Sequence, residues 1–94
     1  MFEASRAAGA LIMFKGRLDA SQVDRARIVL DSVTDSCTID FSELDYISSA
    51  GLGILLAAQK RLSESGHGLT ISGMNRHIRE IFHIAGFEIV FKIV

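Results

Sequence analysis

Residues 40 to 53 read Asp-Phe-Ser-Glu-Leu-Asp-Tyr-Ile-Ser-Ser-Ala-Gly-Leu-Gly. An apolar-alternating strand over residues 37–41 runs out into a polar loop, and two serines then open an amphipathic helix. The first turn of that helix holds Gly51 and Gly53. Each glycine inside a helix costs roughly 1 kcal/mol relative to alanine. Two in one turn imply a close approach to that backbone, by a partner or by the sheet beneath. Free amide groups at a helix start, with hydroxyls beside them, also suit a phosphate.

The two serines can be told apart. With Ser48 as N-cap, Ile47 precedes the cap and Leu52 falls at N4, a hydrophobic staple. With Ser49 as cap, the N4 position is Gly53 and no staple forms. Ser48 is therefore the cap, and Ser49 becomes the first helical residue with no structural work for its hydroxyl. An idle hydroxyl at a helix start is the better candidate for chemistry.

Outward from this stretch, the helix runs over residues 49–64 with Leu52, Leu55, Leu56 and Leu62 inward, and Ser65-Gly66 ends it. Residues 69–72 read as a strand, residues 75–85 as a helix with Ile78, Ile81, Phe82 and Ala85 on one face, and residues 88–94 as a last strand. Upstream, residues 2–6 and 10–15 form two strands around a turn at Ala8-Gly9. Gly16-Arg17-Leu18 is then a loop, and Asp19 starts a helix with Leu18 and Val23 as staple and Gln22 completing a box-like cap. Val23, Ala26, Leu30 and Val33 form its core stripe. The order β-β-α-β-α-β-α-β is that of an α/β fold, a mixed and mostly parallel sheet with covering helices. Sites in such sheets lie beyond the carboxyl ends of the strands, so Asp19 and Ser49 share a rim if their strands are neighbours.

Ninety-four residues make a single domain, 1–94. An apolar fraction of 49% with 22% charged residues suits strands buried on both faces. The net charge of −1 gives no basic surface for nucleic acid. No apolar run approaches the roughly 18 residues of a membrane span, and no signal pattern opens the chain, so the cytoplasm is the expected compartment. Cys37 alternates with Ile39 and Phe41 and reads as a core residue. His67, His77 and His83 lack metal-ligand spacing, and no serine has a histidine base in evident reach, so neither a metal, a cofactor nor an enzymatic activity is expected.

The run Asp40-Phe-Ser42-Glu-Leu44, followed by Ile47-Ser-Ser49-Ala-Gly51-Leu52-Gly53, resembles the core signature of the STAS domain (sulphate transporter and anti-sigma factor antagonist). Gly16-Arg-Leu-Asp19 resembles the family's turn before its first helix, and Ile81-Phe82-His-Ile84-Ala-Gly86-Phe87 its third helix and exit. The resemblance implies a bacterial regulatory module that binds protein partners. In anti-sigma factor antagonists, the serine two positions before the first motif glycine is phosphorylated by a kinase that is also the partner. That position is Ser49 here, with Ser48 as fallback. The implied partner surface comprises Asp19, Ser48, Ser49, Ala50, Gly51, Leu52 and Gly53, and the implied partners are an anti-sigma factor or serine kinase and a phosphatase. A phosphate adds about −1.5 to −2 charges, which the helix start tolerates and a partner interface does not. The chain departs from the commonest pattern at Ser48, often Asp, and at Ala50, often Ser or Thr. It also stops where the family usually has one more helix, as a truncated or minimal member would. The alternative is a STAS scaffold or ligand-binding subunit of a transport or sensory complex, independent of phosphorylation.

Overall fold

The computed structural model describes residues 1–7 and 9–94, so the turn expected at Ala8-Gly9 falls partly outside the described residues. Among these residues five strands form one sheet in the order β1-β2-β3-β4-β5: β1 (Phe2–Arg6), β2 (Leu11–Leu18), β3 (Cys37–Ile47), β4 (Leu69–Ser72) and β5 (Lys92–Ile93). The first pair is antiparallel and the rest are parallel. Helices α1 (Val23–Asp31), α2 (Ser49–Ser63) and α3 (Arg76–Ile84) form the connections.

All three helices cover the same face of the sheet. Ile12, Ile39 and Ile71 are register partners across β2, β3 and β4, and all are buried. Their sequence neighbours Met13, Asp40 and Ser72 are only half-buried, as are Leu11, Thr38 and Thr70. The expectation of strands buried on both faces is therefore corrected. The apolar residues are concentrated in one core between one sheet face and the helix layer.

The chain's six phenylalanines build much of that core. Phe2 meets Phe14 edge-on at 5.1 Å, Phe14 stacks on Phe41 at 5.7 Å, and Phe41 meets Phe82 of α3 at 6.1 Å. Phe82 in turn touches Phe87 and Phe91 at 5.7 and 5.9 Å. This row of rings joins the antiparallel edge to the last strand through the helix layer. The last strand is shorter than expected for the same reason. Phe87 and Phe91 reach Phe82 together only with helical spacing, so Phe87–Ile89 is a 3-10 turn and the Phe91 N–H donates to the Phe87 carbonyl at 3.0 Å.

Strand β3 is six residues longer than its alternation announces. Two register shifts against β2 each place an extra residue on β3, between the Met13–Asp40 and Lys15–Glu43 pairs and between Gly16–Leu44 and Arg17–Tyr46. Each shift moves burial by three residues in place of two, from Phe41 to Leu44 and then to Ile47. Side chains occupy the backbone groups near these irregularities. The Ser42 N–H donates to Asp40 Oδ1 at 2.7 Å, and Asn75 Nδ2 donates to the Leu44 carbonyl at 3.1 Å. The segment read as a polar loop is thus a bulged strand. The expected Gly16-Arg17-Leu18 loop is likewise strand, with Gly16 at φ +89° beside the second shift.

Two further positions differ from expectation. Leu56 is 40% exposed, because the buried stripe of α2 is Gly51, Leu55, Ala58 and Leu62, and Leu56 lies one residue further round. Ala85 is exposed because α3 ends before it. Cys37 is buried as expected. Burial pushes its thiol above the usual value, against a smaller opposing pull from Arg6. A thiol reagent is expected to modify the native protein far more slowly than the urea-unfolded chain. Equal rates would place Cys37 outside the core.

Candidate functional site

Strands β2 and β3 end side by side. Leu18 and Ile47 are register partners facing the core, and the Ser48 N–H donates to the Leu18 carbonyl at 2.9 Å. Asp19 and Ser48, the next residues outward, therefore sit on neighbouring strand ends. The shared rim expected from the sequence is present in this sense.

Ser48 caps α2. Its backbone is extended (φ −85°, ψ 168°) and its Oγ accepts from the Gly51 N–H at 3.1 Å. Ser49 is the first helical residue and is exposed, and among the described residues its hydroxyl makes no hydrogen bond. Ala50 and Gly53 are also exposed, while Leu52 is half-buried against the core. The first turn of α2 holds no acidic residue, whereas Lys60 and Arg61 lie in its last turn. The C-terminal end of the helix dipole is matched by charge and the N-terminal end is left open.

Asp19 caps the helix entry, but through a 3-10 turn at Ala20–Gln22 that leads into α1. Its Oδ1 accepts from the Ser21 N–H at 3.0 Å and the Ser21 hydroxyl at 2.6 Å. The hydroxyl bond chiefly holds the Asp19 carboxyl below the usual carboxylate value. The box-like cap expected from Gln22 is not made. Ser21 occupies the carboxylate, and the Gln22 amide reaches only Ser21 Oγ, at 3.5 Å.

The two glycines have different surroundings. Gly51 is buried, and a Cβ there would lie 2.9 Å from Ile47 Cγ1 and 3.0 Å from Leu18 Cγ. Its close approach is to the strand ends, not to a partner. At Gly53 a Cβ would meet nothing within 4 Å. Both alanine variants gain about 1 kcal/mol of helix propensity. Only Gly51→Ala also crowds side-chain carbons of the buried Ile47 and Leu18, at about 1–3 kcal/mol. Denaturant midpoints are expected to place Gly53→Ala at or above wild type and Gly51→Ala below Gly53→Ala by that overpacking margin. Equal midpoints would remove the distinction between the two.

The histidines do not converge. His67 lies 3.4 Å from Asp35 and from Ser36 at the opposite end of β3, and His83 pairs with Glu88 beyond α3. No helix among the described residues is long and apolar enough to cross a membrane. Neither Arg17 nor Tyr46 stands out in the sequence, yet their side chains meet at the rim, with the guanidinium carbon 4.4 Å from the ring centroid. Both residues fall in segments whose sequence reads as loop, where cross-strand pairing has no meaning.

Residues 2–94 match the profile of a family described as "Mlab, STAS domain". The chain is 38% identical over 76 residues to a Bordetella bronchiseptica protein provisionally named anti-sigma factor antagonist BtrV, a match covering 79% of this chain. It spans only 58% of the length of that relative. Among solved structures, an anti-sigma factor antagonist from Mycobacterium paratuberculosis superimposes with a TM-score of 0.82 at 19% identity, over 99% of this chain and 83% of the other. SpoIIAA in its unphosphorylated form gives 0.71 at 17% identity, over 100% and 87% of the two chains. The phosphorylated form of SpoIIAA, a Bacillus cell fate determinant, also gives 0.71, at 18% identity and with 100% and 91% covered.

Proposed function

The chain belongs to the STAS domain family, and on that premise we propose that it is a phosphorylation-switched regulator of protein binding that acts as an anti-sigma factor antagonist. Unmodified, its rim docks on a serine kinase of the anti-sigma type, and phosphorylation of Ser49 releases it. A phosphatase resets the switch. Ser49 carries this reading: its hydroxyl is exposed and idle at the start of a 15-residue helix, while its neighbour Ser48 does the capping.

Each exposed feature of the rim has a part. Ala50 and Gly53 keep the helix surface low enough for a partner to approach the backbone. Leu52 offers the apolar edge that its partial burial leaves accessible, and Asp19 stands at the adjoining strand end. Ser48 and Gly51 hold this surface from below. A phosphate on Ser49 brings about two negative charges to a helix start that stabilises them by about 0.3–1 kcal/mol, so the fold survives. The same charges inside a docked interface lose their water and meet the partner's bound nucleotide phosphates, so the complex does not.

Calorimetric titration against the cognate kinase tests this reading. Ser49→Ala is expected to bind as wild type, and Ser49→Asp to bind at least about tenfold more weakly with an unchanged melting temperature, as for a charge placed in a desolvated interface. Equal binding by Ser49→Asp and wild type would sink the switch and favour the phosphorylation-independent scaffold.

A further inference from the structure

Arg17 and Tyr46 are register partners on β2 and β3, one step before the Leu18–Ile47 pair that ends both strands. Leu18 and Ile47 face the core, so strand alternation turns Arg17 and Tyr46 to the open face of the sheet. They thus stand at the rim that carries Asp19 and Ser49, on its far side from the helices. Arg17 is exposed and Tyr46 half-buried. Among the described residues the Arg17 guanidinium pairs with no carboxylate and donates no hydrogen bond, and it lies over the ring of Tyr46. Asp19, at the exit of the same strand, is turned to Ser21, and the Arg17 charge is the smallest of the pulls on its carboxyl.

We infer that the Arg17–Tyr46 stack is a second, specificity-determining contact of the partner interface, which receives a carboxylate side chain of the docked protein. The inference rests on the protein-binding reading above and extends it over the rim onto the open sheet face. A guanidinium presents five donors in a planar fork that matches a carboxylate bidentately. Here the guanidinium carbon already sits over the Tyr46 ring, which limits the side-chain freedom lost on docking. A partner seated on Ser49 and Gly53 removes water from the same rim, which strengthens both the ion pair and the cation–π contact. Arginine and tyrosine are also among the side chains that dominate binding energy at the centres of interfaces. The commonest rim charges, by contrast, contribute little unless desolvated.

Tyr46 is the chain's single tyrosine, so 3-fluorotyrosine labelling gives one fluorine resonance that reports this position alone. The probe is the purified anti-sigma-type serine kinase of the source bacterium, with ADP bound. Its addition is expected to shift or broaden that resonance. In parallel titrations Arg17→Glu is expected to lose about tenfold or more in affinity, and Arg17→Lys to lose less because it keeps charge without the planar fork. Tyr46→Phe keeps the stack and stays within about twofold of wild type. Raising the salt concentration shrinks the gap between wild type and Arg17→Ala. Circular dichroism of each variant checks the fold. An unmoved resonance in a saturated complex, or wild-type affinity for Arg17→Glu, overturns this inference. If Ser49→Asp still weakens binding in that case, the switch stands without the stack. If Ser49→Asp has no effect while Arg17→Glu does, the stack stands and the switch falls. Absence of binding by wild type overturns both.

Discussion

Incubated with its serine kinase and ATP, the chain gains one phosphate, and phosphopeptide mapping finds it on Ser49. Two adjacent hydroxyls compete for that role, and their surroundings separate them. Ser48 Oγ is engaged with the Gly51 N–H and the residue is half-buried, so its modification would first have to open the start of α2. Ser49 Oγ is exposed, and transferring a phosphate to it breaks no hydrogen bond in the described structure. Ser49→Ala is therefore expected to abolish phosphate gain entirely with stability unchanged. Ser48→Ala is expected to lose about 1 kcal/mol of stability, as a missing N-cap does, and still to be phosphorylated. Intact mass after kinase treatment and a denaturant midpoint for each variant give all four results. A phosphate that persists in Ser49→Ala and vanishes in Ser48→Ala would exchange the roles of the two serines. No phosphate on wild type, with partner binding intact, would leave a scaffold.

The residues that could be placed from sequence are those whose role is local. The cap at Ser48 follows from a staple between residues five positions apart, and the structure has the expected bond. The strand and helix order follows from runs whose periods are 2 or 3.6, and the sheet adopts it. What could not be read depends on contacts far apart in sequence. Residues 42–47 lost their period of two because two bulges shift it, and no local pattern is specific to a bulge. The cue was present in Asp40 and Ser42, since an acidic residue two positions before a bulged amide can accept from it, but the same pattern also describes a turn. Gly51 and Gly53 look alike in the sequence. Only the strand ends beneath the helix reveal that one is packed and the other open. The Arg17–Tyr46 stack needs the β2–β3 register before it exists at all. Composition misled in a different way. A high apolar fraction fits a sheet covered on both faces, and equally one face under a thick helix layer.

Phe82→Ala is expected to lower stability by about 3–5 kcal/mol, the usual cost of removing a buried phenylalanine, because the cavity cannot easily close. Phe82 is fully buried and bridges three other rings: Phe41 on the bulged strand, and Phe87 and Phe91 beyond α3. Each lost aromatic pair adds roughly 0.5–1.5 kcal/mol to the area term. Domains of this size hold only about 5–15 kcal/mol in total, so the variant is expected to be marginal at 37 °C. The loss is also expected to be uneven. β5 pairs with β4 through two residues, Lys92 and Ile93, and the Val94 N–H donates to the Ile71 carbonyl. So short a ladder does not hold the C-terminal segment by itself; Phe87 and Phe91 seat it on Phe82 of α3, and Gln59 Nε2 of α2 donates to the Val90 carbonyl at 2.8 Å. Amide exchange at Val94 is therefore expected to rise more than exchange at Ile39 in the central strand. The α2 start is bound to β2 and β3 through Ser48, not through α3, so kinase binding by the folded fraction is expected to persist. A denaturant midpoint within about 1 kcal/mol of wild type would mean that the surrounding rings collapse into the space. Uniform exchange across β3 and β5 would mean instead that the C-terminal segment unfolds only with the whole.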